Sequence, residues 1–231
     1  MVRTEPHDPA RGVASSRRAD GEAPTRVSRR LSRADREQQV LRVARERFAR
    51  HGFAAVTMEG IAHEVGVKKP LLYAYFGNKE RLYEACMAPA GDALIEAIAA
   101  AVARARTPAE ALRLGVIAFY DFVDRDRDAW RVLFDETVPQ SGEIAAAVAR
   151  YRDRLLEMLA QAMVALMPPH RRTGSRELIE ASSVMVMAAA EGLARWWLST
   201  GTMPARDVAK LLINTVEPGL ARITQQEESV R

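Results

Sequence analysis

Residues 56–80, "VTMEGIAHEVGVKKPLLYAYFGNKE", decide the fold. Thr57 carries the side-chain oxygen of a helix N-cap, and Glu59 suits the positive end of the helix that follows. Ile61, Ala62 and Val65 recur at helical spacing and supply one apolar face. Gly66-Val67 makes a tight break, and Pro70 falls in the first turn of the next helix, where a missing N–H costs little. A short helix, a glycine turn and another short helix over about 57–76 is the layout of a helix-turn-helix. In its second helix Leu72 and Phe76 lie four apart and point inward, onto Ile61, Val65 and Phe48. Lys69, Leu71, Tyr73, Ala74 and Tyr75 are left on the remaining faces.

The pattern extends in both directions. Upstream, Ser32-Arg33-Ala34-Asp35 resembles a capping box, and Val40, Leu41, Ala44 and Phe48 predict a helix over 34–50. His51-Gly52 should end it through a left-handed C-cap, with Phe53 and Val56 packed beneath. Downstream, Asn78 caps a longer helix through Leu82, Tyr83, Cys86 and Met87 to about residue 105, and Pro89 predicts a kink or an offset start near 90. Thr107-Pro108-Ala109-Glu110 combines a capping box with a proline at the first helical position. It opens a helix with Leu112, Val116, Phe119, Phe122 and Val123 on its apolar side. Further helices are expected over 127–137, 143–166, 175–198, and from Pro204 to Pro218-Gly219 or a little beyond. Residues 139–142 and "MPPHRRTGS" (167–175) read as loops. No segment alternates with period two, so the chain is expected to be all-α.

Composition sets outer limits. The 231 residues include 48% hydrophobic side chains, enough for a core, and aromatics make up only 6%. Residues 1–90 hold 17 Lys and Arg against 11 Asp and Glu, a balance of +6; residues 91–231 hold 17 against 19, a balance of −2. A basic front half suits an anionic partner, most simply nucleic acid. Residues 1–33 lack periodicity and are rich in Arg, Pro and Ser, as a disordered basic arm would be. The single cysteine, Cys86, excludes an internal disulfide framework and suits a reducing, cytoplasmic setting. His7, His51, His63 and His170 are too scattered for a metal site, and neither metal nor cofactor is expected. Even an unbroken apolar run such as 184–190 falls far short of the ~20 residues of a membrane span.

The strongest signal lies at residues 40–85, "VLRVARERFARHGFAAVTMEGIAHEVGVKKPLLYAYFGNKERLYEA", which resemble the N-terminal domain of the TetR family of bacterial transcription regulators. The matching positions are Ala44, Phe48, Gly52 and Phe53; then Thr57, Ile61 and Ala62; then Gly66, Val67, Leu72, Tyr73, Tyr75, Phe76, Lys79 and Glu80. Two positions depart from the pattern. Leu71 stands where small or polar residues are usual, and it is suited to a thymine methyl. Ala74 stands where larger polar side chains are frequent. The resemblance implies a DNA-binding domain over 34–94, with Thr57, Lys68, Lys69, Leu71, Tyr73, Ala74, Tyr75 and Lys79 at double-stranded operator DNA. The tyrosines pack or face DNA; Lys79 is a phosphate contact or a solvated lysine at a helix start.

For residues 95–231 the resemblance implies a helical domain that binds an effector and dimerises. Within 178–216 the expected face for a second copy comprises Met185, Ala189, Gly192 and Trp196, with Leu211, Leu212, Thr215 and Val216 opposite them; intramolecular core is the other reading of this stripe. Phe119, Phe122, Trp130, Phe134, Met158 and Met187 are the candidate lining of a pocket for an apolar small molecule; plain core is the other reading of each. The function implied is a homodimeric, sequence-specific repressor released from DNA by its ligand. An all-α enzyme is the first rival, but no nucleophile–base or paired-carboxylate set shares a face, and Arg interleaves the carboxylates of "DRDRD" (124–128). A helical adaptor that has lost DNA binding is the second.

Overall fold

The computed structural model describes residues 32–167 and 176–226. The basic arm and most of the 167–175 loop therefore lie outside the described residues. Those described form nine helices: α1 (Arg33–Ala55), α2 (Met58–Val65), α3 (Lys69–Phe76), α4 (Lys79–Val102), α5 (Pro108–Arg125), α6 (Arg127–Leu133), α7 (Glu143–Leu166), α8 (Arg176–Thr200) and α9 (Ala205–Gln226). The all-α expectation holds.

Local chemistry explains the starts. Ser32 and Asp35 form a reciprocal capping box, the Ser32 hydroxyl accepting the Asp35 N–H at 3.1 Å. Thr57 accepts the Gly60 N–H, Asn78 the Arg81 N–H, Thr107 the Glu110 N–H and Asp126 the Ala129 N–H, all at 2.8–3.1 Å. Gly66 closes α2 in the left-handed conformation at φ 73°, ψ 34°.

Three expectations change. Gly52 does have positive φ, but its ψ of 165° is extended, so α1 bends there and one further turn follows. Pro89 does not start a new helix: α4 runs through it from Lys79 to Val102. The helix expected over 127–137 stops at Leu133, where Phe134 takes a non-helical conformation and a loop begins.

α4 is the central element. Its first half packs on α1 and α6, where the Tyr83 ring meets Phe48 and Phe53 edge-on at 4.9 and 5.2 Å and its hydroxyl donates to the Val132 carbonyl. Its second half packs on α5 and α7. Gly91 permits the contact with α7, because a Cβ there would sit 2.6 Å from the Tyr151 ring. The expected domain boundary at 94–95 thus falls inside a helix that serves both halves. By length and composition α4 could cross a membrane, but Leu82, Tyr83, Met87, Leu94 and Ile98 are buried in the core.

Candidate nucleic-acid interface and interior cavity

The helix-turn-helix is clamped to the scaffold from beneath. Leu72 is fully buried and Phe76 nearly so, in one cluster with Phe48, Ile61 and Val65. Arg47 on α1 reaches α2 twice, donating to the Glu64 carboxylate at 2.6 Å and the Gly60 carbonyl at 3.3 Å. With that face occupied, Lys68, Lys69, Tyr73 and Ala74 are exposed, and Leu71 and Tyr75 are half-buried. Tyr73 is the large aromatic of the set, 44% exposed. Lys69 lies 3.4 Å from Glu59, an exposed pair that screening makes weak and easily exchanged for another anion. Thr57 is exposed; its oxygen is used by the cap, which leaves its hydrogen to donate outward.

Lys79 behaves differently from the expectation. Its ammonium donates to the carbonyls of Phe53 and Val56 at 2.9 and 3.0 Å and sits 4.2 Å from the centre of the Phe53 ring. The first turn of α4 lies beneath the carbonyl-rich end of α1, and that negative end draws the lysine inward. Lys79 therefore ties α4 to the α1–α2 turn and is a positioning residue. Sequence reasoning missed Arg33, whose guanidinium lies 5.4 Å over the Tyr75 ring and adds a cation beside α3.

The turn after α1 is also held from the rear half. The Asp135 carboxylate accepts the Phe53 N–H at 2.6 Å, and its other oxygen accepts the backbone N–H and hydroxyl of Thr137. Thr137 Oγ1 accepts the Ala54 N–H at 3.2 Å. A Cβ on Gly52 would meet Thr137 Oγ1 at 2.7 Å, so the glycine lets this latch close. Arg45 to Asp126 at 3.0 Å is a second tie between α1 and the rear helices.

The rear helices line a partly open cavity of about 150 Å³ between α4, α5, α7, α8 and α9. Its walls are apolar except for Ser182 and Ser183, and the Ser183 hydroxyl is spent on the Ile179 carbonyl at 2.8 Å. Of the expected lining, Phe119, Phe134 and Met187 are present; Phe122, Trp130 and Met158 are not. The α5 wall ends at Phe119, a turn short of Phe122. Met158 lies about 100° around α7 from the wall residue Leu159. Trp130 backs the Phe134 ring edge-on at 4.1 Å. These three are core or lie behind the wall. Among the described residues no cluster of His, Cys, Asp and Glu could hold a metal. Burial pushes the Cys86 thiol up to about 12, which keeps it an unreactive core residue.

On the outer side of α8 and α9, Val184, Met185, Trp196 and Leu211 are all 44% exposed or more, and Gly192 and Thr215 are exposed with them. The expected face needs one correction. Leu212 is 4% exposed and belongs to the core, with Ala189 and Val216 half-buried against it. On α9 the 211/215 pair points outward and the 212/216 pair inward, since neighbours in a helix differ by about 100°.

A helix-turn-helix carried on a larger helical body with an apolar cavity defines a class of bacterial regulators, and the comparisons place the chain within it. Residues 40–86 match the family described as bacterial regulatory proteins, tetR family, and residues 108–217 match the tetracyclin repressor-like C-terminal domain. A TetR-like transcriptional regulator from Rhodococcus sp. RHA1 is 32% identical, with a TM-score of 0.66 over 83% of this chain and 99% of that one. The HTH-type transcriptional activator FasR of Mycolicibacterium smegmatis is 34% identical over 123 residues, 53% of this chain and 56% of its own length. The match thus spans about half the length of that relative. The fatty acid degradation regulator FadR of Bacillus halodurans, 17% identical, shares the fold with a TM-score of 0.63 over 80% of this chain and 95% of that one. This chain belongs to the TetR family.

Proposed function

We propose that the protein is a homodimeric, sequence-specific DNA-binding regulator that an apolar small molecule releases from its operator. The exposed face of α3 carries this reading: a helix whose Leu72 and Phe76 are buried still presents Lys68, Lys69, Tyr73 and Ala74 outward. Lysines and the Tyr73 hydroxyl suit phosphate, and Leu71 and Ala74 suit thymine methyl groups at base edges. Thr57 and the start of α2 add a hydroxyl and backbone N–H groups for a further phosphate. Two copies joined through the outer face of α8 and α9 would read successive major-groove faces, about 34–36 Å apart.

The latch supplies a route for release. Phe134 lines the cavity, and the next residue, Asp135, holds the Phe53 N–H. A ligand that displaces Phe134 moves Asp135, the turn at 53–56, and through Lys79 the start of α4, which alters the spacing of the two recognition helices. Only a ligand that binds the displaced state more tightly shifts the equilibrium.

Release makes the protein a repressor where the operator overlaps a promoter. The relative FasR is named an activator, which favours activation as the second reading. The test is a gel-shift on DNA flanking the protein's own gene at rising salt, followed by apolar ligands added to the complex. Retarded DNA that is salt-sensitive and released by ligand is expected. Absence of binding to any sequence selected from random DNA would sink the reading in favour of a helical adaptor. A reporter fusion then decides between repression and activation.

A further inference from the structure

Glu191 on α8 is a buried charged side chain, 6% exposed. One carboxylate oxygen, Oε2, accepts a hydrogen bond from Arg152 on α7. The other, Oε1, is buried and has no hydrogen-bond partner among the described residues. An ionised oxygen left in this condition is costly to the fold, and such groups call for an explanation. Burial raises the Glu191 carboxyl above the ordinary range, while Arg152 and, less strongly, Arg195 oppose the rise.

The location supplies the explanation. Glu191 and Arg152 line a second, smaller cavity of about 30 Å³ between α4, α7 and α8. Phe134, Leu155 and Met187 belong to the walls of both cavities. Met187, which lines both, is an unbranched side chain of the kind that repacks readily around a ligand. The two spaces therefore adjoin across shared apolar walls, with an unspent hydrogen-bond acceptor among the residues that line the smaller one.

We propose that Glu191 is the head-group site of these adjoining cavities, for an elongated amphiphile whose apolar body fills the larger cavity and whose hydroxyl or amine donates to Glu191 Oε1. This rests on the reading of the larger cavity as the effector site. A carboxylate or phosphate head is disfavoured, because Arg152 is already held by Glu191 and an anion would meet that carboxylate.

The test is isothermal titration of the full chain with straight-chain alcohols from hexan-1-ol to dodecan-1-ol, each paired with its methyl ether. The ether keeps the oxygen and the chain but lacks the donor hydrogen. The best-fitting alcohol is expected to bind about tenfold tighter than its ether, the effect of one hydrogen bond to a charged acceptor. In Glu191→Leu the preference should fall to about twofold or less. Glu191→Gln, which keeps the shape if the leucine variant does not fold, should show an intermediate preference. Equal binding of alcohol and ether by the wild type overturns the head-group site and leaves the apolar effector cavity standing. So does an alcohol preference that survives in both variants. Binding of neither probe overturns both readings.

Discussion

At the scale of single residues, Tyr73 and Lys79 lie six positions apart yet do different work. Tyr73 is 44% exposed and lies outside the buried core, so its removal should be almost neutral for folding. Lys79 spans from α4 to two backbone carbonyls that would otherwise be left without that donor. Tyr73→Ala is expected to weaken operator binding about tenfold, the loss of one charge-assisted hydrogen bond, and to change stability by less than about 0.5 kcal/mol. Lys79→Met is expected to cost about 1–3 kcal/mol of stability, visible as a lower melting midpoint. Gel-shift and thermal melting of both variants check the pair. Normal melting of Lys79→Met, with DNA affinity alone reduced, would return Lys79 to the contact face. The distinction was not legible in the sequence, where a lysine beside an aromatic helix looks the same whether it turns outward or inward.

At the scale of elements, the segment 52–56 is the joint between the DNA-reading helices and the rear body. Gly52 occupies a backbone region at φ 74°, ψ 165° that is almost confined to glycine, and the Asp135 carboxylate holds the next N–H. Asp135→Ala removes an acceptor from Phe53 and from Thr137 together and is expected to destabilise by about 1–3 kcal/mol. Its diagnostic effect is on coupling: DNA affinity in the absence of ligand should fall, and added ligand should release less. Paired gel-shifts with and without the apolar effector measure both. An unchanged ligand response would remove Asp135 from the route. Helix existence was largely legible here. Capping residues and apolar spacing placed α2, α3, α5 and α7 close to their observed limits, because those signals act over a few residues. The latch was not, since Asp135 and Phe53 are 82 positions apart.

At the scale of the whole molecule, the outer side of α8 and α9 is the apolar face proposed for dimerisation. Val184, Met185, Trp196 and Leu211 exposed along one side suit a second copy of the same face. Gly192 lies among them, and a Cβ at that position would meet nothing within 4 Å, so a side chain there is accommodated in the single chain. Gly192→Glu should therefore leave helicity and the monomer fold intact while placing a charge in the interface. Light scattering is expected to report a dimer for the wild type and a monomer for the variant, with operator affinity falling as well. A wild type that is monomeric at working concentration would count against this face, as would a variant that remains dimeric.

The sequence by itself determined the helical class, the order of most elements, the helix-turn-helix and the family, because caps, glycine turns and apolar periodicity are properties of short stretches. It also determined that Leu72 and Phe76 share a face, since the helix repeat alone decides that. Only the tertiary structure decided where Lys79 turns, that Leu212 faces the core while Leu211 faces out, and that Phe122, Trp130 and Met158 stand outside the cavity. It alone joined Glu191 to Arg152 and left one carboxylate oxygen unspent beside a cavity. Those outcomes depend on which distant helix lies opposite each residue, and a void or an unpaired atom exists only once all of its walls have met.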